Sequence, residues 1–190
     1  MDIVGSIICI VIFSPVMLLS AILVKITSSG PLIFKQERVG LHNEKFMMYK
    51  FRTMYVQTEE EEKKGWTQKN DPRVTKVGGF LRKTSLDEFP QLFNVLKGDM
   101  SVVGPRPHML KHTKEYSQLI NKFMVRHFVK PGITGWAQVT GYRGETKELW
   151  QMEGRVSRDI WYIEHWTFIL DLYIIYKTVY NAICGEKEAY

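Results

Sequence analysis

Only two cysteines occur in the 190 residues, Cys9 and Cys184. That excludes a disulfide framework and a paired-cysteine zinc site. A glycine-rich phosphate loop is also missing, because the pair Gly78-Gly79 matches no such pattern. No internal repeat or low-complexity tract is present. The absence with the largest consequence is charge: from Ile3 to Val24 no side chain carries any. As a straight helix that run would be about 33 Å long, enough to cross a hydrocarbon core of about 30 Å. No basic leader precedes it and no small-residue cleavage pattern follows, so it is expected to be retained as a membrane segment rather than cleaved.

On hydropathy alone the run reads as an ordinary spanning anchor. Ser14-Pro15 permits another arrangement. Pro15 cannot donate to the carbonyl of Val11 and its ring crowds that turn, a defect of about 3 kcal/mol in a helix interior. The Ser14 hydroxyl is expected to turn back to the carbonyl of Ile10 and ease the loss. A break at mid-depth would allow a helix that enters and leaves on one face.

A 22.3 kDa chain with 45% apolar residues can bury one core but not two full domains. The formal charge of +6 and pI near 9.2 fit nucleic acid, an anionic membrane surface or phosphorylated substrates equally well. Turn residues Gly40 to Asn43 separate Leu32-Ile33-Phe34 from Phe46 to Arg52 and predict a strand pair, with Lys50 and Arg52 on one face. The run Glu59 to Lys64 reads as a solvated turn without function. Met100 to Val103 predicts a short buried strand. Gly104-Pro105-Arg106-Pro107 then presents Arg106 from a stiff loop. Helical spacing recurs from Tyr116 to His127, alternation from Ile133 to Thr140 predicts a strand, and Arg143-Gly144-Glu145 reads as a loop. Lys147 to His165 is helical and carries Arg155, Arg158 and Asp159. The apolar segment from Trp166 to Cys184 is interrupted by Asp171 and Lys177, which argues for an interfacial helix, or one docked on the membrane segment, rather than a second span.

The chemistry concentrates between Leu81 and Pro107. An adjacent carboxylate pair, Asp87-Glu88, lies between Arg82 and Arg106. Carboxylates can attack phosphorus or hold a hard cation, and guanidinium forks match phosphate oxygens, so the block points to a phosphate ester. A structural alternative is a helix start, with Ser85 and Glu88 as a capping box or with the first turn nearer Pro90. Either way, the dipole and the arginines are expected to keep Asp87 ionised. His108 and His112, four apart, are a candidate metal pair but lack the intervening glutamate of a zinc-protease motif. His42, His127 and His165 are isolated.

In order along the chain come Ser14-Pro15, Phe34-Lys35-Gln36-Glu37-Arg38-Val39-Gly40, Lys50-Phe51-Arg52-Thr53-Met54 and Asp71-Pro72-Arg73. Ser85 to Leu92, Gly104-Pro105-Arg106-Pro107 and Pro131 to Trp136 follow. This ordered set resembles the bacterial polyprenyl-phosphate sugar-1-phosphate transferases with a monotopic catalytic domain. The resemblance implies an α+β fold, mainly helical with short strands. Residues 1–26 would form a kinked re-entrant membrane helix, and residues 27–190 a catalytic domain on the cytoplasmic face of the bacterial inner membrane. Interfacial amphipathic helices would set its depth.

The same resemblance implies transfer of sugar 1-phosphate from a UDP-sugar to undecaprenyl phosphate, with UMP released by a ping-pong route. Asp87 would attack phosphorus and Glu88 would help hold Mg²⁺. Arg82 and Arg106 would grip phosphate, joined by Lys50, Arg52 and Asp159. Arg143-Gly144-Glu145-Thr146 and Ala189-Tyr190 resemble the branch that initiates exopolysaccharide and capsule, for which glucose 1-phosphate is a common cargo. Membrane lipids are implied partners, nucleic acid is not, and a homo-oligomer is left open. Two rival functions stand beside this one: a membrane-tethered basic binding module, and a Mg²⁺-dependent phosphohydrolase using the same acidic pair.

Overall fold

A computed structural model describes residues 2–56, 71–144, 146 and 148–184. The Glu59 to Lys64 run, Glu145 and Ala189-Tyr190 lie outside the described residues. The chain opens with one helix, α1 (Asp2–Thr27), which continues through Pro15. The Ser14 hydroxyl donates to the carbonyl of Val11 at 2.8 Å, not to that of Ile10 as expected. Val11 is the acceptor that Pro15 cannot serve, so the hydroxyl repairs that very defect. Ile3, Val11, Ile12 and Leu18 stand exposed, at 60% for Ile3, whereas Met17 and Val24 join Phe51 and Leu81 in a core. Both ends of α1 are docked. At its start Asp2 accepts hydrogen bonds from Ser101 Oγ at 3.0 Å and Val102 N at 3.2 Å.

Strands β1 (Ile33–Val39) and β2 (Lys45–Phe51) pair antiparallel, with Phe34 opposite Lys50 and Val39 opposite Lys45, joined by the predicted turn. Helix α2 (Lys76–Thr84) follows, capped by the Thr75 hydroxyl, which accepts from Gly78 N at 2.8 Å. A turn of 3-10 helix (Leu86–Glu88) leads into α3 (Gln91–Lys97), which starts beside Pro90 as expected. The capping box does not form: Ser85 adopts a left-handed φ of 59° and closes α2 instead. Fully buried Asn94 on α3 binds the β2 backbone, accepting from Tyr49 N at 3.0 Å and donating to Met47 O at 2.7 Å. The hairpin and the acidic turn thereby share one scaffold.

Strand β3 (Ser101–Val103) lies where predicted and pairs in parallel with β4 (Gly132–Thr134). Helix α4 (Leu110–Leu119) is shorter than the apolar spacing suggests. A left-handed Lys122 (φ 62°) breaks it, and a 3-10 turn (Phe123–Phe128) carries Phe123 into a core with Ile120, Met152 and Val156. The strand expected over residues 133–140 ends at Thr134. Trp136–Val139 form a short helix, α5, in which Trp136 stacks on Trp161 with ring centroids 5.0 Å apart. The alternation there marks packing on both sides, not a sheet. Helices α6 (Leu149–Glu164) and α7 (Phe168–Cys184) complete the described residues, α7 packing Ile174 against Val103 and Tyr162. Among the described residues the architecture is α+β, mainly helical with short strands, as the sequence predicts.

Candidate active site

Four elements converge on the acidic pair. The 3-10 turn supplies Asp87 and Glu88, β2 supplies Lys50, α2 supplies Arg82, and the loop after β3 supplies Arg106. Glu88 is clamped: its Oε1 accepts from Lys50 Nζ at 2.6 Å and from Arg106 Nη2 at 2.5 Å, while Oε2 accepts from Arg106 Nη1 at 3.2 Å. Burial alone would favour its neutral form. Arg106 and Lys50 outweigh that and hold the carboxyl well below the usual range.

Asp87 is treated differently by the same neighbours. It is 8% exposed. Burial pushes its carboxyl up to about 6, against the pull of Lys50, while the adjacent Glu88 charge adds to the rise and Arg82 and Arg106 oppose it. The arginines pull toward the ionised form as expected, but desolvation is the larger effect. At neutral pH the group is still mostly ionised, but its charge is poorly solvated. One carboxylate saturated by cations beside another that is desolvated is the arrangement expected of a support and a nucleophile.

Each cation has its own mount. Arg82 donates from Nε to Thr53 Oγ1 at 2.8 Å, which fixes its stem just past β2. Behind Arg106, the buried Arg126 donates from Nη2 to the Arg106 carbonyl at 2.8 Å and pairs with Asp159 at 2.6 Å. Asp159 is only 2% exposed. It lies behind the Arg106 loop, which it supports through Arg126, and is not brought to the acidic pair.

Arg52 is likewise not brought to the acidic pair. Its Nη groups donate to the carbonyls of Ser28 and Ser29, locking the turn between α1 and β1, the Ser28 bond at 2.8 Å. The strand ends at Phe51, so the alternation that would have kept Arg52 beside Lys50 no longer applies. His108 and His112 do not form a metal pair. His108 precedes α4 and packs against Arg126, and burial together with Arg126, Arg155 and Arg38 holds it well below its usual range. Guanidinium neighbours repel a cation. Among the described residues no group of three or more His, Cys, Asp or Glu side chains could hold a metal by itself. The sequence assigns no role to Thr53 or Arg126, because each acts through a contact distant in sequence, Thr53 with Arg82 and Arg126 with the Arg106 loop.

The sequence profile described as bacterial sugar transferase matches residues 1–185. The chain belongs to that family. It is 50% identical over 189 residues to a UDP-glucose:undecaprenyl-phosphate glucose-1-phosphate transferase of Escherichia coli (strain K12), covering 100% of this chain and 40% of the relative. A UDP-N-acetylgalactosamine-undecaprenyl-phosphate N-acetylgalactosaminephosphotransferase of Aeromonas hydrophila is 43% identical over 186 residues, covering 97% of this chain and 43% of the relative. The exopolysaccharide production protein PSS of Rhizobium leguminosarum bv. phaseoli is 39% identical over 189 residues and is covered over 94% of its length. The family thus includes relatives more than twice the length of this chain and one of nearly its own length.

Proposed function

We propose that this chain transfers sugar 1-phosphate from a UDP-sugar to undecaprenyl phosphate, with Asp87 as the covalent nucleophile. The observation that carries the reading is the contrast between two adjacent carboxylates: Glu88 is neutralised by Lys50 and Arg106, and Asp87 is desolvated beside three cations. Asp87 attacks the sugar-proximal phosphorus of the donor and forms a carboxyl–phosphorus bond. The bridging P–O bond breaks and its electrons leave with UMP. An oxygen of the lipid phosphate then attacks the same phosphorus, releases the Asp87 carboxylate and gives undecaprenyl-diphosphate-sugar. Arg82 and Arg106 bind the anionic oxygens of the transferring group, and Lys50 holds Glu88 in place. The names of the relatives support glucose as the first cargo to test, for a step that starts exopolysaccharide, capsule or related glycan assembly.

Glu88 would help hold Mg²⁺, which is usually bound by one or two carboxylates, with waters and substrate phosphates completing its shell. When bound there, Mg²⁺ would neutralise charge on the donor diphosphate.

The membrane arrangement follows the same reading. Residues 1–26 form the membrane-inserted segment and residues 27–190 the catalytic domain. Both ends of α1 dock on that domain, and Phe13, one residue before the Ser14-Pro15 pair, lies 5.0 Å from Phe89, the neighbour of Glu88. That packing supports a helix whose two ends stay on one side of the membrane; the reading puts that side at the cytoplasmic face of the bacterial inner membrane. The reacting carboxylates would sit at headgroup depth, where a soluble donor and a lipid phosphate can meet, with α7 in the interface.

The test is to incubate the protein with UDP-glucose and Mg²⁺ in the absence of lipid phosphate, then measure UMP and the mass of the peptide carrying Asp87. One equivalent of UMP and a phosphosugar adduct are expected, and Asp87→Asn should yield neither. Full turnover by that variant, or UMP only when both substrates are present, refutes the covalent route. Free sugar phosphate formed at the rate of UMP would mark a hydrolase instead.

A further inference from the structure

The loop 141–144 carries a side chain that the proposed reaction does not use. Arg143 donates from Nη2 to the hydroxyl of Ser85 at 2.5 Å, joining segments 58 residues apart. Ser85 is the left-handed joint between α2 and the acidic turn, two residues before Asp87. For a non-glycine residue that conformation is unfavourable and persists where surrounding contacts determine it.

On its other side the loop is gripped by α6. Arg155, 7% exposed, donates from Nε to the Tyr142 carbonyl at 3.0 Å and from Nη2 to the Gly144 carbonyl at 2.8 Å. These are the carbonyls of the two residues that flank Arg143. Arg158 places its guanidinium 3.9 Å from the centre of the Tyr142 ring. Gly154 lies against the same ring, where an added Cβ would come within 2.3 Å of a ring carbon. Three positions on α6 therefore serve to fix Tyr142 to Gly144. Burying a guanidinium is costly, and here the two carbonyls that Arg155 serves lie in one surface loop. A loop that merely needed tying down would not explain why its held arginine ends on the joint of the acidic turn.

We propose that Arg143 is a positioning residue for Asp87: through Ser85 it fixes the turn that aims the carboxylate at the donor phosphorus. The inference rests on the aspartyl reading above. Arg143 acts before lipid phosphate arrives, so its effect belongs to the first half-reaction. Because it works through Ser85 and not on the donor, it changes the rate of attack and not donor affinity.

The test measures single-turnover release of UMP from UDP-glucose without lipid acceptor, using the whole chain and the variants Arg143→Ala, Arg143→Lys, Ser85→Ala and the Arg143→Ala/Ser85→Ala pair. Thermal melting is recorded alongside. Arg143→Ala and Ser85→Ala should each slow the step about tenfold at saturating donor, with half-saturation changed less than about twofold. The double variant should be no slower than the singles, because each removes the same contact. Arg143→Lys keeps a donor and should recover most of the rate.

Losses that multiply in the double variant would overturn the proposal. So would a loss that appears in half-saturation, which would place Arg143 on the donor itself, or a Ser85→Ala enzyme as fast as wild type. Ser85→Ala removes a single hydroxyl and keeps the test decisive should Arg143→Ala fail to fold. A wild-type enzyme that releases no UMP from the donor alone would instead defeat the aspartyl reading.

Discussion

Lys50 and Arg52 stand two residues apart and do unrelated work. The ammonium of Lys50 reaches Glu88 at 2.6 Å, whereas the guanidinium of Arg52 holds the carbonyls of Ser28 and Ser29. A change at Lys50 therefore belongs to the chemistry. Lys50→Ala leaves Glu88 with Arg106 alone, and the rate of UMP release should fall by about tenfold to a hundredfold with little change in melting. Arg52→Ala frees two carbonyls that a charged donor satisfies, bonds worth about 1.5–3 kcal/mol each, so it should lower the melting temperature. Its folded fraction should release UMP within about twofold of the wild-type rate. Kinetics and melting on the two variants separate the roles, and a stable but inactive Arg52→Ala would return Arg52 to the substrate site.

At the scale of the element, α2 governs the geometry because it ends in Arg82 and delivers the chain to the acidic turn. Its pair Gly78-Gly79 argues locally against a helix. Gly78 is required by a long-range approach: an added Cβ would lie 1.9 Å from the carbonyl oxygen of Thr53. The same threonine also receives Arg82 through its hydroxyl. Gly78→Ala must push α2 away from the end of β2, a steric conflict that costs about 1–3 kcal/mol, and it should displace Arg82 along with the helix. Lower melting together with slower UMP release checks this, and an unchanged rate would mean that Arg82 does not depend on the approach.

That helix also shows where local pattern stops informing. The hairpin, β3, the Arg106 loop, α3, α6 and α7 were legible because period, turn residues and proline act within a few positions. Glu88 and Arg106 were legible as charges of one block, and Lys50 through the family motif it belongs to. Helix α2, the break at Lys122 and the helical turn at Trp136 were not, because Thr53, Phe123 and Trp161 decide them from elsewhere in the chain. The contacts of Asp159 and Arg52 were not legible for the same reason: residue type gives charge, and only packing gives direction.

For the whole molecule the contacts that matter are those holding both ends of α1 against the domain. A straight helix of 26 residues is about 39 Å long, so a spanning anchor would carry one end across the bilayer from the catalytic domain. Here the first turn is held by β3 through Asp2, and the last is buried through Val24 against Phe51 and Leu81. A helix bound to one body at both ends cannot place those ends on opposite sides of a membrane without losing one set of contacts. Releasing Asp2 would leave the amide of Val102 and the hydroxyl of Ser101 without that acceptor, and releasing Val24 would expose the core. Cysteines placed singly at Ile3 and Ile26, both exposed, in a background of Cys9→Ser and Cys184→Ser, should therefore react with a membrane-impermeant maleimide from the same side of sealed vesicles. Labelling from opposite sides would establish the spanning anchor that hydropathy alone suggests, and the acidic turn would then have to meet its lipid substrate without the contact between Phe13 and Phe89.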